Sequence, residues 1–236
     1  MGYEFEPIGV IRSPFKEKFG VPRQSGIATE VQATLEFHPP YDDAEAFSGL
    51  EQYSHLWIQF VFDQNIDAGW QPRVRPPRLG GNRRVGVFAS RSPFRPNPLG
   101  LSVVMLDEVQ ERYGKVRLLL SGIYMVDGTP VLDIKPYIAY SDSIVDARSG
   151  FAPASPEAIL NVVFSAKALA TISDREDGER LKQLIIQLLE IDPRPAYKRD
   201  AEAGREYGFR LYDFDLRWAV SGQQVEVLEL RPVTAE

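Results

Sequence analysis

The chain of 236 residues contains no cysteine and only two histidines, His38 and His55. The missing thiols exclude disulfides, thiolate nucleophiles and cysteine-ligated metals, and two imidazoles leave little material for a histidine-rich zinc site. We therefore expect no metal centre. Lone histidines are more often structural than catalytic, so neither is assigned a function.

Long hydrophobic runs are also missing. No stretch approaches the roughly 18 consecutive apolar residues of a membrane-spanning helix, and the acidic N-terminus lacks the basic and apolar segments of a signal peptide. With 44% apolar residues the chain can still bury a sizeable core. These features predict a globular cytoplasmic protein without membrane contact.

Acidic residues are absent between Asp67 and Asp107, although the whole chain carries a net charge of −6. The same stretch holds seven arginines and no lysine. A guanidinium forks onto phosphates and carboxylates and stacks on bases, which a lysine does less well. The stretch therefore indicates a nucleic-acid contact, with a solvated surface loop as the alternative.

Short apolar or alternating runs separated by glycine and proline dominate the first 140 residues, as is typical of all-β proteins. One short helix is expected around 42–47, capped by Asp42 or Asp43. Seven strands without βαβ alternation predict a mainly β fold with an N-terminal antiparallel β-barrel. The strands are expected near 6–12, 31–37, 56–62, 84–89, 100–109, 115–122 and 131–138.

A second, small α+β domain is predicted after a linker at 141–156 that is rich in Ser, Asp, Ala and Pro. A strand is expected near 159–164, and apolar spacing predicts a helix over 177–190. A hairpin of 209–220 and 224–230 would turn at Ser221 and Gly222. The predicted domains are 1–145 and 156–236.

Six punctuated segments carry a resemblance to a known family. Together they are similar to the diagnostic segments of the TsaA/TrmO family, and the last two resemble the C-terminal signature of its longer bacterial members. Their order along the chain makes the set specific, although each segment is weak alone. They are VPRQ (21–24), PPRLGGN (76–82), RSPFRPNPLG (91–100), DGTPVLDIKPY (127–137), DPRPAY (192–197) and YDFDLRW (212–218).

The resemblance implies a homodimeric barrel enzyme that binds S-adenosylmethionine as its cofactor. It implies methyl transfer to N6 of threonylcarbamoyladenosine at position 37 of tRNA, with the C-terminal domain contributing to substrate recognition. The sequence independently lacks a glycine-rich loop after a first strand and parallel α/β alternation, which disfavours a Rossmann-type methyltransferase.

The resemblance also implies which residues contact the cofactor. Family members often carry His where Asp63 stands and Asp where Tyr124 stands, so the polar contacts are expected to be rearranged at these two positions. The implied cofactor contacts are Pro22, Arg23, Gln24, Asp63, Gln64, Arg91, Leu101, Ser121, Gly122, Ile123 and Tyr124.

Methyl transfer from an activated sulfonium needs alignment and exclusion of water more than covalent catalysis. An acceptor near the exocyclic N–H would help N6 become nucleophilic, and the candidates are Asn97, Asp133 and Tyr137. Lys135 would tune Asp133 or hold the threonylcarbamoyl carboxylate. An Asp133–Lys135 pair with a structural role only remains the alternative.

Contacts with tRNA are predicted at basic residues in two regions of the chain. They are Arg73, Arg75, Arg78, Arg194, Lys198 and Arg199. Two other functions remain open at this point. One is a non-catalytic RNA-binding barrel that uses the arginines with Trp70, Phe88 and Phe94, and the other is a barrel enzyme for a different small ligand.

Overall fold

The computed structural model describes residues 2–194 and 205–233. Strands in the first part of the chain are β1 (Gly9–Arg12), β2 (Gln32–Phe37), β3 (His55–Val61), β4 (Arg73–Val74), β5 (Val85–Gly86), β6 (Leu99–Arg112), β7 (Lys115–Ser121) and β8 (Pro130–Pro136). Six of them close an antiparallel barrel in the order β1-β2-β7-β6-β3-β8. This arrangement confirms the predicted fold class.

Alternation along each strand explains the barrel, because every second side chain points into it. In β3, Leu56, Ile58 and Phe60 are buried while the residues between them are half-exposed. Their neighbours on β6 and β7, including Val104 and Leu118, fill the same interior. The barrel is therefore a packed core whose outer face and ends are available for function.

Short 3₁₀ helices occupy several of the connections, at Ala44–Phe47, Leu50–Gln52, Asp63–Ala68, Pro77–Leu79 and Val87–Ala89. The first lies where a helix was predicted. The carboxylate of Asp43 caps it by accepting from the Glu45 N–H at 3.0 Å, whereas Asp42 pairs with Lys115 at 2.8 Å. Of the two candidate caps, Asp43 is the one used.

The strand predicted at 84–89 is wrong for most of its length. Only Val85 and Gly86 are extended, and they pair with β4 outside the barrel. The chain then turns into the 3₁₀ helix Val87–Ala89, whose carbonyl at Val87 accepts hydrogen bonds from the Ser90 N–H and hydroxyl. This local closure replaces the ladder that a barrel strand would need.

The remaining elements are α1 (Ala139–Asp142), β9 (Asn161–Phe164), α2 (Ala166–Ser173), α3 (Gly178–Leu189), β10 (Glu206–Leu211), β11 (Phe214–Ser221) and β12 (Gln224–Pro232). The last four strands form a sheet in the order β10-β11-β12-β9, with β9 parallel to β12. Helix α3 buries the apolar face that its sequence predicts. No helix in the described ranges is long and apolar enough to cross a membrane.

The segment predicted as one strand over 209–220 is two strands. Tyr212 has a φ of 53°, and Leu211 pairs with Phe214 across a tight turn. The Tyr212 N–H leaves the sheet and donates to the Pro14 carbonyl at 2.8 Å. A contact with the barrel therefore interrupts the alternation that suggested a continuous strand.

This contact belongs to a shared core between the barrel and the C-terminal sheet. Phe15 is 1% exposed and bridges to Leu211, and Phe19 packs edge-on against Phe209 with ring centroids 6.0 Å apart. The Gln187 side chain of α3 adds hydrogen bonds to the Thr29 hydroxyl and from the Glu30 N–H. Removing the C-terminal part would expose these apolar side chains of the barrel part.

Candidate active site

Four loops meet around the first residues of β6. The Arg91 guanidinium donates to the Gln24 side-chain oxygen at 2.7 Å, and the Gly26 N–H donates to the Gly122 carbonyl at 3.0 Å. Two further hydrogen bonds of 2.8 Å join Lys18 to the Gln64 carbonyl and the Phe62 N–H to the Pro98 carbonyl. Residues far apart in sequence thus surround one end of the barrel.

Most of the predicted cofactor residues lie in these loops. Pro22 is buried and anchors its loop, whereas Arg23, Asp63, Gln64 and Arg91 are more accessible. The Ser121 hydroxyl is already engaged, because it donates to the Asp107 carboxylate at 2.5 Å. Ser121 would therefore contact a ligand through its backbone more readily than through its hydroxyl.

Tyr124 lies where the loops adjoin the barrel interior. Its ring packs edge-on against Phe60 with centroids 6.1 Å apart. Burial raises the pKa of the Tyr124 hydroxyl, and the Arg91 guanidinium and the Ser102 hydroxyl act in the opposite direction. Tyr124 is thus a neutral hydrogen-bond donor at physiological pH, beside a fixed positive charge.

Ser102 is a functional candidate that the sequence reasoning missed. It is 2% exposed, and in the described part of the chain its hydroxyl makes no hydrogen bond of full geometry. A buried hydroxyl whose hydrogen bonding is not fully satisfied is uncommon and needs an explanation. The signal was available in the alternation of β6, where Gly100, Ser102, Val104 and Leu106 face inward and Ser102 alone is polar.

Arg91 is available to an anionic ligand. Ion pairs with Asp127 and Asp133 would give Arg91 and Arg95 a structural role only. In the structure Lys16 holds Asp127 at 2.9 Å and Lys135 holds Asp133 at 2.6 Å. Arg91 instead contacts the neutral amide of Gln24, so its charge is not compensated by that contact.

The outer face of the barrel places Leu101 beside one of the catalytic candidates. Gln59 of β3 pairs with Leu101 on β6 and with Asp133 on β8, and paired residues in a sheet share a face. Lys135 pairs with the next outward residue, Trp57. Asp133 and Lys135 therefore lie on the same outer face as Leu101, as the alternation of β8 predicts.

Tyr137 is at the opposite end of this face from Asn97. The Tyr137 N–H donates to the His55 carbonyl at 3.0 Å, whereas Asn97 adjoins the Pro98 carbonyl that bonds to Phe62. His55 is the first residue of β3 and Phe62 directly follows its last residue, so the two are separated by the length of the strand, roughly 20 Å. One chain therefore does not bring Tyr137 and Asn97 into a single site, although both were predicted there.

The arginine arm, which we define as residues 69–98, connects the 3₁₀ helix Asp63–Ala68 to β6. Arg73, Arg75 and Arg78, which are the predicted tRNA contacts of this region, are exposed on it. Within the described ranges, none of the seven arginines of the arm forms a salt bridge with a carboxylate. The Arg78 guanidinium donates a hydrogen bond to the Ala154 carbonyl, and this contact orients the arm. The arm presents concentrated positive charge to solvent.

The C-terminal residues predicted to contact tRNA fall into two groups. Arg194 is buried, and its guanidinium lies 2.8 Å from the Asp192 carboxylate, with a second hydrogen bond of 3.0 Å between the same groups. An arginine whose charge is paired in this way is better suited to stabilising the local structure than to binding phosphate. Lys198 and Arg199 lie outside the described residues.

The side chains at the start of β6 fit S-adenosylmethionine chemically. The Arg91 guanidinium matches a carboxylate, the neutral Tyr124 hydroxyl with the buried Ser102 beside it matches a polar edge, and the exposed Leu101 supplies apolar surface. The cluster combines a cation, hydroxyls and apolar surface within one set of loops.

Comparison with known proteins assigns the chain that carries these loops to a family. A family model described as the tRNA-methyltransferase O N-terminal domain matches residues 10–143, and the TrmO C-terminal domain matches residues 157–233. The chain is 49% identical to the tRNA (adenine(37)-N6)-methyltransferase of Escherichia coli K12 over 98% of both chains. It is 50% identical to a putative S-adenosylmethionine-dependent methyltransferase of Pseudomonas aeruginosa, covering 92% of this chain and 93% of the relative. A crystal structure of TrmO from Pseudomonas aeruginosa superposes with a TM-score of 0.77 at 41% identity, covering 98% of this chain and 99% of that one.

Proposed function

The chain belongs to the tRNA-methyltransferase O family, and from that premise we propose that it is an S-adenosylmethionine-dependent tRNA methyltransferase acting on N6 of an adenine. The observation that carries the proposal is the clustering of the Arg91–Gln24 pair, the 122–124 segment and Ser102 at the start of β6. The barrel performs this reaction without a Rossmann fold.

The chain's own residues supply binding and orientation. When bound, S-adenosylmethionine supplies an activated methyl group, so no covalent catalyst is needed. Arg91 would bind the carboxylate of the amino-acid portion, and Gln24 would keep the guanidinium oriented through its 2.7 Å hydrogen bond. Tyr124 would donate to a polar edge with its hydroxyl positioned by Ser102, while Leu101 would exclude water from the reacting face.

Asp133 and Asn97 are the better candidates for assisting the exocyclic nitrogen. The acceptor must lie near the cofactor, and Asp133 is on the same outer face as Leu101, one strand away through Gln59. Asn97 adjoins the loop that carries Asp63 and Gln64. Tyr137 lies at the far end of β3 and would act in this site only if a second chain carried it there.

We assign the nucleotide more finely to threonylcarbamoyladenosine at position 37 of tRNA. Its threonyl group carries a carboxylate, and this substituent sits directly on the nitrogen to be methylated. Lys135 is exposed on the outer face and now holds Asp133 at 2.6 Å. Binding of the substrate carboxylate by Lys135 would release Asp133 to accept the N6 proton.

The activity is tested by incubating the protein with methyl-labelled S-adenosylmethionine and tRNA from a strain that lacks the endogenous enzyme. We expect label in tRNA, and digestion to nucleosides should place it on threonylcarbamoyladenosine. An unmodified transcript of the same tRNA is the matched control and should stay unlabelled. Labelling of both RNAs would contradict the finer substrate, and tRNA binding without labelling would favour a non-catalytic RNA-binding barrel. Absence of affinity for both S-adenosylmethionine and tRNA would favour an enzyme for another ligand.

Contacts between the arginine arm and phosphate should appear in the salt dependence of tRNA binding. Replacing Arg73, Arg75 or Arg78 by alanine removes one exposed cation, so each variant should lower the slope of log affinity against log salt by about one. Arg231→Ala is the control, because it loses the same charge in β12, where Arg231 pairs with Glu229. Unchanged slopes in all three arm variants would remove the arm from the interface.

The C-terminal domain would contribute to the choice of tRNA. Lys198→Ala and Arg199→Ala in the same titration test this role, and a lower slope is expected for each. Arg194→Ala is expected to lower the melting temperature instead, because it removes a buried guanidinium that makes two hydrogen bonds to the Asp192 carboxylate. Truncation of the chain near Gly150 is a poor test, since it would uncover Phe15.

A homodimer would cover an apolar stripe on the outer face of β6. Leu99 is 45%, Leu101 49% and Met105 47% exposed, and Val103 lies between them. Such a contiguous apolar row is typical of a protein interface, and a second copy is the occupant we propose. Since Leu101 is also a predicted cofactor contact, the partner would lie beside the cofactor.

Sedimentation equilibrium tests the dimer. The unmodified chain should sediment with the mass of two chains. The double variant Leu99→Glu and Met105→Glu should sediment with the mass of one chain, because each chain would have to desolvate two carboxylates in the interface. Leu169→Glu, which alters a 39% exposed leucine on α2, is the control and should remain dimeric. A monomeric unmodified chain would contradict the proposal.

A further inference from the structure

An exposed aromatic ring stands in the middle of the arginine arm. Phe88 is 74% exposed, whereas the preceding Val87 is 1% exposed. The 3₁₀ helix Val87–Ala89, closed by the hydrogen bonds of Ser90, holds the two side chains in these opposite environments. The exposure of Phe88 is therefore a consequence of an ordered turn anchored by its neighbour.

A guanidinium covers part of this ring. The Arg95 Cζ atom lies 5.6 Å from the centroid of Phe88. Arg95 cannot move freely, because one of its nitrogens donates to the Ser90 carbonyl at 2.8 Å and to the Val87 carbonyl at 3.2 Å. With 74% of Phe88 still exposed, the guanidinium leaves most of the ring surface open.

The surroundings of Phe88 favour an RNA over an apolar partner. The chain from Ala68 to Leu106 contains no acidic residue, and Arg83, Arg84 and Arg91 are exposed near Phe88 in sequence. A base stacks on an aromatic face while cations bind the adjoining phosphates, which is how proteins hold unpaired nucleotides. The Phe88 ring provides the aromatic face, and Arg95 with the surrounding arginines provides the cations.

We propose that Phe88, supported by Arg95, is a stacking platform for an unpaired base of the tRNA loop. The inference rests on the proposed function, because it names how the arginine arm holds that substrate. Stacking needs no particular base and suits a loop whose nucleotides are splayed from the helix. Phe88 would thereby position the loop, while the reacting adenine enters the site at the start of β6.

The test uses the full chain and an anticodon stem-loop RNA with 2-aminopurine at a loop position. Phe88→Ala and Phe88→Leu should each weaken binding by about tenfold, because both remove the aromatic face. Phe88→Trp should retain binding. The salt slope should not change in any of them, since no charge is lost, and this separates stacking from the loss of an arginine.

Fluorescence and a stem-only RNA complete the test. The 2-aminopurine signal should be quenched by the unmodified chain and by Phe88→Trp, and less by Phe88→Ala. A duplex with the stem alone should bind all variants equally. Equal loop binding by Phe88→Ala, or by Phe88→Leu, would overturn the inference. Failure of the unmodified chain to bind the stem-loop would instead contradict the proposed function.

A second copy of the chain is the competing occupant of the Phe88 surface. Sedimentation of Phe88→Ala at the concentrations of the binding assay distinguishes the two. We expect the mass of the unmodified chain and an unchanged melting temperature, because the ring is exposed. A reduced mass that accompanies the loss of RNA affinity would overturn the stacking role.

Discussion

Replacing Arg91 by alanine should weaken binding of S-adenosylmethionine by about tenfold to a hundredfold. The substitution removes a charge-assisted pair with the ligand carboxylate, and such pairs contribute about 1.5–3 kcal/mol. Arg91→Lys should recover only part of the affinity, since a point charge does not reproduce the forked geometry. Titration calorimetry measures both variants.

The controls for Arg91 separate binding from structure. Arg84→Ala removes another exposed arginine of the same arm and should keep normal affinity for the cofactor. Arg91 contacts the neutral Gln24 and no carboxylate of the described chain, so Arg91→Ala should leave the melting temperature nearly unchanged. Normal affinity together with a lower melting temperature would make Arg91 a structural residue.

Replacing Gly100 by alanine should destabilise the barrel and weaken cofactor binding together. A Cβ at Gly100 would lie 2.1 Å from the Cζ atom of Phe60, a ring that is 2% exposed. Overpacking of this kind costs about 1–3 kcal/mol, and each kcal/mol lowers the melting temperature by roughly 2–4 °C in a chain of this size. The displaced ring would also press on Tyr124, its neighbour at 6.1 Å.

A double mutant identifies the cause. Phe60→Leu makes room for the new methyl group, so Gly100→Ala should be less harmful in that background than in the unmodified chain. Gly86→Ala is the matched control, because Gly86 has a φ of −61° and a Cβ added there would meet no atom within 4 Å. Thermal unfolding measures the stability of the four variants. Additive effects of Gly100→Ala and Phe60→Leu on the melting temperature would contradict the steric explanation.

Local patterns in the sequence were sufficient for most of the fold. The barrel strands and α3 lie close to their predicted positions, because side-chain period and turn residues act over a few neighbours. The strands at 84–89 and 209–220 were mispredicted. In both, a specific contact overrides the local pattern: the turn closed by Ser90 in one and the Tyr212–Pro14 hydrogen bond in the other.

The sequence by itself determined that the chain can form a barrel and that its arginines would lack acidic neighbours along the chain. Both are properties of composition and short-range order. Only the tertiary structure decided that Lys16 pairs with Asp127, that Ser102 lies beside Tyr124 and that Tyr137 is far from Asn97. These outcomes depend on the register between strands distant in sequence, and a shift of one residue would turn each side chain to the opposite face.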